Sequence, residues 1–218
     1  NSPHPVKENS YGDTYGKHRE FLEFNIKQHE ILKKYCEEID VEYSSSVWDM
    51  KSAEEIISLN PTMIKIPSAV NNNYELIKYI YKNFDGEVHI SLGMTFDEER
   101  ENILKIAKAL DKSEKTVLYH CVSGYPVSVD DLFLLEIKKL NELYGHEVKC
   151  IGFSGHHTGI AADISAMTLG AKYIERHFTL DRTWKGTDHA ASLEPDGMRR
   201  VVRDLKGVSK SLKLKDVE

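Results

Sequence analysis

VHISLGMTFDEERENILKIAKAL, residues 88–110, changes its hydrophobic pattern part-way along. VHISLGM (88–94) is a short β-rich run, and FDEERENILKIAKAL has the spacing of a helix. The same unit recurs along the chain. Other β-rich runs are VEYSSS (41–46), MIKIPS (63–68), TVLYHC (116–121), VKCIGFS (148–154) and YIERHFT (173–179). Helical patterns lie between them: SAEEIISL, NYELIKYIYKNF, VDDLFLLEIKKLNELYG and GIAADISAMTLG, with PDGMRRVVRDLKGVSKSL after the last run. Strand starts recur every 22 to 32 residues. Such alternation argues for parallel βα units, because parallel strands need crossovers of about a dozen residues or more.

Six runs fit two architectures. They are two short of the eight that close a βα barrel, and they would complete an open doubly wound sheet. Two features favour a (β/α)8 TIM barrel with about six of its eight units present: no glycine-rich fingerprint follows any run, and polar residues collect at nearly every carboxyl end. An open sheet concentrates its site at one switch point, whereas every strand end of a barrel contributes.

The 218 residues, 40% hydrophobic and 29% charged, suit one domain. A net charge of -6, with scattered Lys and Arg, gives no footprint for nucleic acid or an anionic membrane, so a small molecule is the expected partner. No run approaches the ~20 apolar residues of a membrane span. Cys36, Cys121 and Cys150 form no CxxC pair, and two of them sit in apolar runs, as buried thiols of a reducing, cytoplasmic compartment do. In KHREFLEFNIKQHEILKKYCEEI (17–39), Phe21, Phe24, Ile26, Ile31, Leu32 and Tyr35 fall roughly on one helical face. The polar opening NSPHPVKENSYGDTYG reads as the middle of something longer.

The strand ends supply Ser46, Lys65 with Ser68, Ser91, His120 with Ser123 and Tyr125, Ser154 with His156 and His157, then Glu175 and His177. Any one serine here is an ordinary turn residue. Several hydroxyls beside a lysine suit a phosphate or carboxylate oxyanion, which needs convergent donors and a compensating charge. Lys65 lies between Ile64 and Ile66, so alternation turns it to the opposite face; if the isoleucines pack on helices, the lysine faces the barrel axis. There it needs an anionic partner or loses its proton, which also admits a Schiff-base lysine. One histidine from each of the last two strand ends can reach a single divalent ion, with Glu175 as ligand or second partner. Hydrogen-bonded structural histidines are the plainer alternative, and His120, His157 and His189 stay undecided. Residues after His177 form a loop that ends where Pro195 suits a helix's first turn, hanging Asp181, Lys185 and Asp188 over the mouth. For Asp181 and Lys185 a solvated charged loop is the simpler reading.

SSSVWD, IKIPS, SLGMT, HCVSGYP, GFSGHHTG and above all IERHFTLDRTWKGTDHAASLEP resemble, in order over essentially the whole chain, the sialic acid synthase family. That family includes related nonulosonic acid and spore coat polysaccharide synthases. The resemblance implies a partial TIM-barrel synthase domain over residues 1–218, lacking the family's first two strands and its small C-terminal antifreeze-like domain. It implies a transferase that condenses phosphoenolpyruvate with N-acetylmannosamine or a related sugar, using Mn2+ or Mg2+, and that is a cytoplasmic homodimer at full length. On matching positions, His156 and His177 would hold the metal. Lys65, Ser68, Ser123 and Ser154 would contact phosphoenolpyruvate, with Ser46 nearby, and Tyr125 and Asp188 would face the sugar; Lys65, Tyr125 and Asp188 are the expected catalytic side chains. Val70 stands where the family often has an acidic residue, and Ser123 where some members have asparagine. The family's first two strands and its C-terminal domain supply further site residues, so these 218 residues alone are expected to form an unclosed barrel with exposed edges and little activity. A Schiff-base or metal-dependent aldolase, or a non-catalytic relative, is the alternative.

Overall fold

In the computed structural model of the chain, which describes residues 2–4 and 6–215, the alternation becomes parallel strands with helices between them. The strands are β1 (Met63–Ile66), β2 (Glu87–Ser91), β3 (Thr116–Cys121), β4 (Cys150–Gly155) and β5 (Tyr173–Arg176). They pair in parallel in chain order. Helices α1 (Tyr15–Leu22), α2 (Ile26–Glu38) and α3 (Met50–Ser58) precede β1. Helices α4 (Tyr74–Asn83), α5 (Asp97–Ala109), α6 (Leu135–Tyr144) and α7 (Ala161–Thr168) are the crossovers, and α8 (Pro195–Ser211) follows β5 with Pro195 in its first turn.

The sheet is curled. A flat ribbon would hold β1 and β5 about 19 Å apart, four spacings of ~4.8 Å. Instead Lys65 Nζ on β1 lies 2.6 Å from Glu175 Oε2 on β5. The strands therefore form part of a barrel wall, as the polar strand ends led us to expect. Ile64, Ile66, Val88, Ile90, Leu118, Ile151 and Phe153 face outward into the main core, against Ala53, Ile56, Leu76, Ile77, Ile80, Ile103, Ala107, Ile137 and Ala166 of the helices. Burying side chains of this size stabilises by about 1.5–3 kcal/mol each.

The sequence reading and the structure differ at two places. The run 41–46 contributes only a one-residue bridge, Ser46 to Lys65. Two backbone bonds form it, Val47 N to Lys65 O at 2.9 Å and Lys65 N to Ser45 O at 3.1 Å. Just before it, the Ser44 hydroxyl bonds Met63 O at 3.0 Å in place of a backbone amide, so the ladder goes no further. The single helical pattern of 17–39 is two helices. Asn25 and Gln28 form a reciprocal capping box that starts α2 afresh, and local capping overrides the apolar periodicity running through it. Phe21, Phe24, Ile31, Leu32 and Tyr35 stay exposed.

Candidate active site

The carboxyl ends of the strands, the N-terminal segment and the loop after His177 enclose a cavity of about 720 Å³. All nine residues expected to make up the site line it: Lys65, Tyr125, Asp188; Ser46, Ser68, Ser123, Ser154; His156, His177. The size suits small-molecule substrates.

Lys65 reaches the interior because alternation on β1 buries Ile64 and Ile66 outward. Its ammonium donates to Glu175 at 2.6 Å, and the other carboxylate oxygen accepts from Ser154 Oγ, also at 2.6 Å. Burial works against the charge on Glu175, but Lys65 and these two hydrogen bonds outweigh it and hold the carboxyl below its usual pKa. Beneath Lys65 lies the Tyr119 ring, 4.8 Å from the ammonium. A side chain at Gly152 would come within 2.7 Å of that ring, so only glycine admits the tyrosine there. Burial pushes the Tyr119 hydroxyl's pKa upward, and the hydroxyl meets buried His89 Nδ1 at 2.8 Å. Further down, His89 contacts Glu87 at 3.3 Å, and Tyr173 donates to Glu87 at 3.1 Å. Polar groups thus fill the floor of the cavity.

A second wall is built of hydroxyls. The Gly93 amide donates to Ser68 Oγ at 3.1 Å, and a side chain at Gly93 would strike both Ser68 Oγ and Ser123 Oγ, at 2.6 and 2.7 Å. Glycine here is what lets the two serines converge. Ser91 Oγ, buried in the same wall, has no partner among the described residues. Asn71 ties this turn down by donating to Ser91 O and Gly93 O at 2.8 and 3.0 Å. An ammonium facing several hydroxyls suits an oxyanion ligand. Val70 packs on the hydrophobic core.

The imidazoles of His156 and His177 lie 5.2 Å apart, and Tyr125 covers both at 4.2 and 5.6 Å between ring centres. Partial burial pushes the Tyr125 phenol up to about 12, which keeps it protonated at neutral pH. His156 Nδ1 lies 2.9 Å from Val122 O. A carbonyl only accepts, so the proton sits on Nδ1, and burial holds the ring pKa below its usual value. Nε2 of the neutral ring then keeps a lone pair; its polar neighbour Ser154 Oγ, at 3.5 Å, gives its proton to Glu175 instead. His177 Nδ1 lies 3.5 Å from Asp188 Oδ2. This donor set fits a divalent cation: a neutral imidazole oriented through its far nitrogen is what metal ligation uses. Among the described residues no three His, Cys, Asp or Glu side chains converge on one point, so water or substrate oxygens would complete the shell.

The undecided histidines separate. His120 faces away from the cavity and bonds Leu132 O at 2.8 Å. His157 joins a buried cluster behind the site, where Arg176 Nη1 meets Asp163 at 2.6 Å and Arg176 Nη2 bonds His157 O at 2.6 Å. His189 Nδ1 pairs with Thr179 Oγ1 at 2.8 Å. Asp181 turns back on Thr183 at 2.6 Å. The sequence reading left Glu175 as a metal partner and did not place Gly93, Cys121, His18, Arg19 or Trp48 at the site. The glycine following Ser91–Leu92 at the end of β2 was the one local sign of a close approach.

The chain is similar to known proteins in sequence and in fold. The model of the family described as NeuB matches residues 2–216. The human protein named N-acetylneuraminate-9-phosphate synthase is 37% identical over 207 residues, 95% of this chain and 56% of the human one. The Campylobacter jejuni protein named N,N'-diacetyllegionaminic acid synthase is 30% identical over 192 residues, 88% of this chain and 56% of its own length. The chain thus spans little more than half the length of these curated relatives. Among solved structures, N-acetylneuraminic acid synthetase from Leptospira borgpetersenii, in complex with citrate, superposes with a TM-score of 0.85 at 27% identity, covering 95% of this chain and 72% of that one. A truncated 3-deoxy-D-arabino-heptulosonate 7-phosphate synthase from Thermotoga maritima shares the fold, with a TM-score of 0.72 at 15% identity over 88% of this chain and 75% of that one.

Proposed function

This chain belongs to the NeuB family, and from that we propose that it carries the active-site face of a sialic or related nonulosonic acid synthase. The reaction joins phosphoenolpyruvate to an aldehyde sugar of the N-acetylmannosamine type. The methylene carbon of phosphoenolpyruvate attacks the aldehyde carbon, forming the new carbon–carbon bond. Water adds to the resulting cationic carbon, and the carbon–oxygen bond to phosphate then breaks, releasing inorganic phosphate. The observation that carries this reading is the meeting, in one cavity, of the Lys65 ammonium, four hydroxyls and the paired imidazoles of His156 and His177.

Lys65 and the hydroxyls of Ser68, Ser123 and Ser154 hold the phosphate and carboxylate of phosphoenolpyruvate and offset the charge that develops on them, with Ser46 beside them. Tyr125 and Asp188 position the sugar. His156 and His177 would hold Mn2+ or Mg2+, which when bound supplies Lewis-acid polarisation of the aldehyde oxygen. The Lys65–Glu175 contact supports an electrostatic lysine over a Schiff-base one, since its ammonium is already paired with a carboxylate. No described helix is long and apolar enough to cross a membrane. Three free thiols support a cytoplasmic setting, and the full-length protein acts as a homodimer in this reading.

The test incubates the full-length protein with phosphoenolpyruvate, N-acetylmannosamine and Mn2+ and follows phosphate release. Release that stops with chelator and in His177→Ala is the expected result. No phosphate from any acceptor in a panel of such sugars, using folded and metal-loaded protein, would sink the proposal.

A further inference from the structure

Below the cavity, the hollow of the barrel wall holds a second set of polar side chains that the synthase chemistry does not use. Lys65 pairs in register with His89, so Glu87 lies one same-face step further down the hollow, about 6.6 Å along β2. The Tyr119 ring comes between. Its face meets the Lys65 ammonium at 4.8 Å, and its hydroxyl meets His89 Nδ1 at 2.8 Å. Tyr119 and His89 are both buried. The hydrogen bonds below the ring all run one way. Burial opposes the charge on Glu87, but bonds from Lys149, Tyr173 and His89 hold its carboxyl below its usual pKa. A carboxylate only accepts, so the His89 proton that faces it at 3.3 Å is on Nε2. Burial, the largest influence on this imidazole, holds its pKa below the usual value and keeps it neutral, so Nδ1 accepts from the Tyr119 hydroxyl. Two neighbours pack these rings in place: Tyr173 stands edge-on to His89 at 4.8 Å, and a side chain at Gly152 would strike the Tyr119 ring. A phenol that gives its proton toward an acceptor gains electron density on its ring, the face a cation seeks.

Lys65 therefore has two carboxylates along the hollow, Glu175 beside it at 2.6 Å and Glu87 below the ring. Its four-carbon stem is flexible and its ammonium is a point charge without a preferred approach, so the stem alone does not choose between them. We propose that Tyr119 is a positioning residue for Lys65: its ring closes the way down to Glu87 and holds the ammonium at the level of Glu175 and Ser154, where phosphoenolpyruvate is received. Without the ring, Lys65 would turn down to Glu87, and phosphoenolpyruvate would have to draw it back. The inference deepens the synthase reading and rests on it.

The experiment follows phosphate release by the full-length protein and compares Tyr119→Phe with Tyr119→Leu. Both variants lose the hydroxyl and its bond to His89, and only the second loses the ring. Tyr119→Met, ring-free and unbranched, is measured alongside, so the comparison does not hang on the folding of one variant. The expected result is a KM for phosphoenolpyruvate raised about tenfold in the ring-free variants, the scale of a desolvated cation–π contact, and less than about threefold in Tyr119→Phe. KM for the acceptor sugar moves less than about twofold in all three, which a general loosening of the barrel would not allow. A phosphoenolpyruvate KM that stays within about twofold of wild type in the ring-free variants, that rises as far in Tyr119→Phe as in them, or that rises together with the sugar KM overturns the inference and spares the synthase reading. No phosphate from the wild-type protein with any acceptor overturns both.

Discussion

Glu175 and Arg176 are neighbours on β5, each is half of an ion pair, and the two pairs stand in different surroundings. Glu175 points into the cavity and meets Lys65, with side chains 38% and 12% exposed. Arg176 points to the helices and meets Asp163, with 2% and 0% exposed. Their partners lie 110 and 13 residues away in the chain. The first pair is within reach of water and of ligands, so its charges can be shared with a substrate. The second is dry. Arg176 Nε, Asp163 Oδ1 and His157 Nδ1 have no partner at all among the described residues, so the contacts that do form carry the whole compensation. The strand shows that neighbouring charges of this kind serve binding or anchoring according to which side of the sheet they face.

The contrast can be broken in three ways. Lys65→Met should lower turnover about 10^3-fold, roughly 4 kcal/mol of barrier, while stability in a urea titration falls by less than about 2 kcal/mol. A comparable loss of stability would make Lys65 an anchor like Arg176. Asp163→Ala should do the reverse and cost about 3 kcal/mol of stability, because it strands a guanidinium away from water. If the urea midpoint shows less than about 1 kcal/mol, Arg176 has found other compensation and the two pairs are alike.

Glu175→Gln tests the smallest effect, about 1 kcal/mol, because a carboxylate more than a third exposed is screened. Its folded pKa lies below the usual value, so its contribution is present above the ordinary carboxylate range and is lost as pH falls through the depressed value. Melting curves of wild type and variant should therefore differ near neutrality and converge in acid. Parallel curves down to pH 3 would mean that Lys65 does not hold this carboxylate ionised.

Much of the fold was legible because one signal repeats. Each βα unit must bury one strand face against a helix, and that requirement writes itself as alternation in MIKIP and as helical spacing in NYELIKYIYKNF. Strand-end serines, Lys65 and the histidines could be gathered from sequence because parallel strands all finish on one face. What escaped the reading depends on partners. VEYSSS has strand composition, but only Ser46 finds a backbone to pair with, and composition does not report a neighbour. The break before α2 was written as Asn25 and Gln28 at capping spacing, and the apolar periodicity crossing it was the stronger pattern. Alternation in YIER puts Glu175 and Arg176 on opposite faces, yet neither Lys65 nor Asp163 can be inferred as partner from within β5. His157 sits beside His156 just past the end of β4, and its outward turn continues the alternation of that strand.

The curl of the sheet also bears on folding order. Every strand pairs with the next in sequence, so the ribbon can zip through local steps, each closing a short crossover. Lys65 and Glu175 are different: they touch only across the hollow, after all those steps. A ribbon with every ladder formed but not yet rolled would have native secondary structure and no binding site. Recovery of ligand binding on refolding should lag recovery of helix signal, and the interval between them times the rolling of the wall.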